Sequence, residues 1–178
     1  MYKYLFSLLL LLLISAMIYG QDMDQVSMDT KYKMTYNEVL NALTSGKLDV
    51  LDKYIASDFI EHDPSPVMSK KTGLDRIKED FAAYHKVFPD MKAKVHSIAV
   101  SGDMLFAYLT FTGTTSEPYM GMPANYEMTM NSVDIIKFKG DKAVEHWGFT
   151  SNQDIMMMMQ QDKSMGHDNM KSQGMDNK

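Results

Sequence analysis

The apolar positions of this chain change period twice. Residues 2–19 are an almost unbroken apolar run around a leucine block, residues 36–88 repeat apolar side chains at helical spacing, and from Met91 to Phe149 they alternate with polar ones. In the helical stretch Tyr36, Val39, Leu40 and Leu43 share a face, and Thr35 followed by Glu38 forms a capping-box pattern, so a helix is predicted from Thr35 to the Ser45-Gly46 break. Leu48, Leu51 and Ile55 predict a second, short helix. The segment FIEHDPSP alternates briefly and meets two prolines, which predicts a short strand running into a loop. Leu74, Ile77, Phe81, Tyr84 and Phe88 then make the stripe of a long helix, opened by a Thr72/Asp75 capping pattern and closed at Phe88-Pro89-Asp90.

From Met91 onward the period is two. Met91, Ala93 and Val95 alternate with Lys92, Lys94 and His96, and Ser101-Gly102-Asp103 supplies a hairpin turn. Further strands are predicted over 104–112, 126–138 and 142–149, the last two joined by Lys139-Gly140-Asp141. Helices first and a meander of long strands second predicts an α+β fold in which helices cover one face of a curved antiparallel sheet. An apolar cavity on that face is the default place for a ligand.

Both ends lie outside this pattern. Lys3, the leucine block and the small residues Ser15, Ala16 and Gly20 make a secretory signal peptide, and the switch to QDMDQVSMDT favours cleavage over a retained anchor. Residues 1–20 are therefore assigned to the signal, 21–34 to a polar linker, 35–161 to one domain and 162–178 to a disordered methionine-rich tail. The expected location is periplasmic or extracellular, with no stable membrane span once the signal is cleaved. The absence of cysteine excludes a disulfide framework and thiol catalysis. A net charge of −5 with Arg76 as the single arginine gives no basic patch, so nucleic acid is not an expected partner. Thioethers prefer Cu(I), so the tail methionines with His167 are candidates for copper capture.

Candidate chemistry centres on Asp134. In the strand MTMNSVDIIKF it shares a face with Ser132, Ile136 and Phe138, and if that face lines the cavity its carboxyl is desolvated and suited to acid/base work. Val133 and Ile135 make the other face equally apolar, so the pleat alone does not choose. His62, beside Asp63 and just before Pro64, is the second catalytic candidate. Glu145 and Trp147 share one face of the last strand and His146 takes the other, so one set at most meets the ligand; Glu145 and Trp147 are taken as the contacts. The histidines show no zinc-type spacing, and no phosphate loop, nucleophile elbow or dinucleotide fingerprint is present; no metal or cofactor is expected.

FIEHDP, GLDRIKEDFAAYHKVFPDM, YMGMPAN and VDIIKFKGDKAVEHWGFTSNQD together resemble the SnoaL-like polyketide cyclases, or ester cyclases, over about residues 36–154. The resemblance implies membership of the nuclear-transport-factor-2-like superfamily: an open cone of curved sheet and helices, commonly paired as a homodimer through the sheets. It implies a small hydrophobic ligand, Asp134 as the cyclases' acid/base aspartate, and cofactor-free aldol-type cyclisation or isomerisation. Two positions depart from the cyclase pattern, Thr114 in place of a histidine and Ala124-Asn125 in place of a threonine-glycine pair. These departures keep a non-catalytic binding module open as the alternative, beside copper handling through the tail.

Overall fold

The computed structural model describes residues 28–151. The expected signal peptide, the first half of the linker and the methionine-rich tail lie outside the described residues. Helix α1 covers described residues 28–45, so it takes in residues that the periodicity assigns to the linker. The reason is Tyr32, one turn ahead of Tyr36: it is buried and its ring stacks on Phe138 at 4.1 Å. Thr35 accordingly lies inside the helix, where its hydroxyl donates to the Asp141 carbonyl oxygen at 3.4 Å, and forms no cap. The helix ends at Gly46, whose φ of +71° suits the left-handed position after a helix.

A 3₁₀ turn (Leu48–Val50) and helix α2 (Leu51–Tyr54) lead into strand β1 (Ile55–Glu61). Ile55, expected on the apolar face of the short helix, opens the strand instead, where a buried β-branched side chain fits well. Helix α3 (Gly73–Val87) follows the predicted stripe. Thr72 makes no side-chain cap bond there. Gly73 sets the start: at φ +61° it lets the helix begin directly against β1, where a Cβ would collide with the carbonyl oxygen of Ser57.

Strands β2 (Lys92–Ser101), β3 (Met104–Thr114), β4 (Glu127–Lys139) and β5 (Lys142–Thr150) fall within a residue or two of the expected positions. The sheet order is β1-β5-β4-β3-β2. Successive hairpins make β2 to β5 antiparallel, whereas β1 joins β5 in parallel across the whole intervening chain, so the sheet is mostly antiparallel. Register breaks between Val95 and Ser97 and between Lys137 and Phe138 bend it, and it stays curved and unclosed.

The core lies between the helices and one face of this sheet. Tyr36, Leu40, Phe59, Ile77, Leu105 and Leu109 belong to its main cluster. A second cluster of Leu43, Val87, Phe88, Met91, Met122 and Met128 closes the end where α3 meets the segment between β3 and β4. Burying each of the larger side chains contributes about 1.5–3 kcal/mol, which is what holds α1 and α3 onto the sheet. Among the described residues no helix is long and apolar enough to cross a membrane.

Candidate active site

Alternation along β4 sends Met128, Met130, Ser132, Asp134, Ile136 and Phe138 to the helix side of the sheet, where all six line one pocket of about 560 Å³. On β5 a strict alternation from Ala143 would add Glu145 and Trp147. The register break changes the phase: Phe138 pairs with Ala143 but Lys137 with Glu145, so Ala143, His146 and Gly148 line the pocket. On β1 and just beyond it, Phe59, Glu61 and Asp63 line the same pocket.

Glu145, Trp147 and His62 are therefore not brought to Asp134. They form a patch on the opposite face, where His62 Nε2 lies 2.8 Å from Glu145 Oε1 and the imidazole stacks on the Trp147 ring at 4.6 Å. The two departures from the cyclase pattern are also away from the lining. Thr114 is tied to Asp90 through its amide (2.7 Å) and hydroxyl (2.8 Å), and Asn125 is a turn residue at φ +63°.

At the polar end of the pocket, Asp134 is buried and accepts two hydroxyl hydrogen bonds, from Tyr36 to Oδ2 at 2.8 Å and from Ser132 to Oδ1 at 3.1 Å. His146 stands between two carboxylates: its Nε2 is 3.8 Å from Asp134 Oδ1 and its Nδ1 is 2.9 Å from each carboxylate oxygen of Glu61. Asp63 completes the group, its amide donating to Glu61 Oε1 at 3.0 Å and its Oδ1 accepting from the Gly148 amide at 3.2 Å. That approach requires glycine, because a Cβ at 148 would collide with the Asp63 carboxylate. Arg76 fixes the same corner from behind: it pairs with Asp80 at 3.2 Å and donates to the backbone carbonyls of Glu61 (3.0 Å) and Asp63.

Charge follows this geometry. Burial works against the His146 imidazolium, but the Asp134 and Glu61 carboxylates outweigh it and push its pKa up to about 10, so at neutral pH His146 is a cation with both ring nitrogens as donors. Burial first and then the Asp134 charge raise the Tyr36 phenol far above its usual range, keeping it a donor to Asp134. Asp63 is raised by burial, with the Gly148 amide and the His146 charge opposing and the Glu61 and Asp134 charges adding. A carboxylate with an imidazolium and a phenol beside it can take a proton from a bound molecule and return it.

Glu61, Asp63 and His146 each bring one ligand-type atom within 4.8 Å of the others, a spacing able to collect around a cation. Glu61 and His146 already face each other in an ion pair at 2.9 Å, which a metal would have to break. Tyr36, Glu61, Asp63 and His146 stand at the polar end of the pocket although the sequence did not mark them as site residues. The signal for two of them was present: Glu61 and Asp63 share the parity of the apolar Phe59.

The fold recurs among solved structures. The chain is similar to TsrD from Streptomyces laurentii (18% identity, TM-score 0.64, covering 73% of this chain and 95% of that one). It is similar to IdmH from Streptomyces antibioticus (24%, 0.61, 71% and 96%) and to a SnoaL-like polyketide cyclase from Agrobacterium tumefaciens (17%, 0.59, 70% and 94%). At these identities the likeness carries the fold alone. Curated protein sequences contain no match. The model of the SnoaL-like polyketide cyclase family matches residues 33–161, most of the chain, and the chain belongs to that family.

Proposed function

We propose that this protein binds a small, largely apolar molecule in the pocket and performs acid/base chemistry on it, with Asp134 exchanging the proton. The observation that carries this is the buried Asp134 carboxylate in a mostly apolar pocket, with a phenol donor and an imidazolium beside it. In an aldol-type cyclisation, Asp134 takes the proton next to a carbonyl. The electron pair moves onto the carbonyl oxygen, and the enolate carbon attacks a second carbonyl of the same molecule. The resulting alkoxide recovers the proton from Asp134, so the enzyme ends as it began. His146 supplies fixed positive charge close to where the oxyanion forms, and Tyr36 and Ser132 orient the carboxylate. An isomerisation uses the same first step and returns the proton to a different carbon.

His146 takes the part that the sequence offered to His62. The outer sheet face exposes Phe106, Tyr108, Val133 and Phe149, which supports pairing of two copies through their sheets. The leucine block ahead of Gln21 supports export, so the pocket is proposed to meet its ligand outside the cytoplasm. The test is Asp134→Asn on a molecule captured with the protein by native mass spectrometry: retention should persist while turnover falls about 10²-fold or more. Unchanged turnover would end the acid/base proposal.

A further inference from the structure

Acidic side chains outnumber basic ones around the pocket. Among the described residues its lining includes four carboxylates, Glu61, Asp63, Asp80 and Asp134, and neither lysine nor arginine. Arg76 stands just behind and is committed to Asp80, with its remaining donors on backbone carbonyls. That leaves the carboxyl groups of Glu61, Asp63 and Asp134 gathered around His146, the one basic side chain of the described lining. Charge in a mostly apolar pocket is screened far less than on the surface, so a cluster of carboxyl groups there favours a cationic ligand over a neutral or anionic one. The rest of the lining suits a cation: it includes the aromatic residues Phe81, Tyr84, Phe88 and Tyr119 and methionines with polarisable sulfur.

We propose that the ligand of this pocket is an organic cation, an amine or quaternary ammonium on an apolar body, with its charged end against Glu61, Asp63 and Asp134. This rests on the reading of the pocket as the ligand site, and it narrows the substrate class.

Three probes with one apolar chain and different heads separate the two claims: decyltrimethylammonium, decanol and decyl sulfate, each below its micelle concentration. Isothermal titration into the full chain at pH 7 should show the ammonium binding at least about tenfold tighter than decanol, with decyl sulfate weakest. Asp63→Asn and Glu61→Gln should each reduce that preference, and circular dichroism checks that both variants fold. Equal binding of all three heads overturns the cation inference and leaves the pocket as an apolar ligand site. Binding of none overturns both. A preference that survives both substitutions puts the cation elsewhere, and displacement of the ammonium by equimolar Mn²⁺ gives the charge to a metal ion; either result overturns the inference.

Discussion

Raising the pH through the titration of His146 should destabilise the protein in a way that a single substitution removes. The imidazole has an ordinary pKa of 6.5 and is held at about 10 by the Glu61 and Asp134 carboxylates against the cost of its burial. A folded-state pKa above the unfolded one means that the folded state holds the proton more tightly, so the stabilisation is complete below pH 6.5 and is lost as pH rises to 10. Each pH unit of the interval is worth about 1.4 kcal/mol, which sets an upper bound of about 5 kcal/mol for the whole window. Urea denaturation of the wild type at intervals from pH 6 to 10 should show the loss. His146→Gln cannot hold the proton, so its profile should be flatter, and subtracting it removes the titration of lysines and other shared groups. The imidazole carbon resonances of His146 should stay those of an imidazolium through pH 8. An imidazole that titrates near 6.5, or wild-type and His146→Gln profiles that run parallel, would refute the ion-pair account of this pocket.

The remaining predictions concern the same geometry. His62→Gln should leave ligand binding within about twofold and stability within about 1 kcal/mol, because an exposed ion pair contributes little; a loss of turnover comparable to that of Asp134→Asn, measured in the same assay, would return His62 to the site. Gly148→Ala should displace Asp63, costing about 1–3 kcal/mol in chemical denaturation and weakening ligand retention, and a neutral result would mean that the close approach is not maintained in solution. Phe149→Glu on the exposed outer face should convert a dimer to a monomer in sedimentation velocity, whereas a wild type that sediments as a monomer at every concentration would remove the pairing proposal.

Much of the fold was legible because its periods are long and clean. The stripe Leu74, Ile77, Phe81, Tyr84, Phe88 and the alternation from Met91 needed only spacing, and the glycine turns at 102 and 140 marked the hairpins. The pocket lining was legible on β4 and illegible on β5 for one physical reason. Asp134, Ser132, Ile136 and Phe138 keep phase along β4, but the register break beside Phe138 exchanges the faces of β5, and nothing in KAVEHWGFT announces it. His146 therefore replaced Glu145 and Trp147 in the lining. Tyr36 belongs to the predicted apolar stripe of α1, and spacing could not reveal that its hydroxyl would reach a carboxylate 98 positions along the chain. The early start of α1 was hidden because Met28 and Tyr32 stand among polar residues, and their apolar partners, Phe138 among them, come only from the tertiary fold.

The central claim, proton exchange between Asp134 and a molecule in this pocket, can be measured without knowing the reaction in advance. Wild-type protein carrying its captured ligand is incubated in D₂O, and the ligand is released and weighed by mass spectrometry after return to H₂O has removed the freely exchanging deuterons. Wild-type protein should leave deuterium on carbon, and Asp134→Asn, retaining the same ligand, should leave none. A ligand that gains no carbon-bound deuterium with the wild type, or gains it equally with Asp134→Asn, would contradict the assignment.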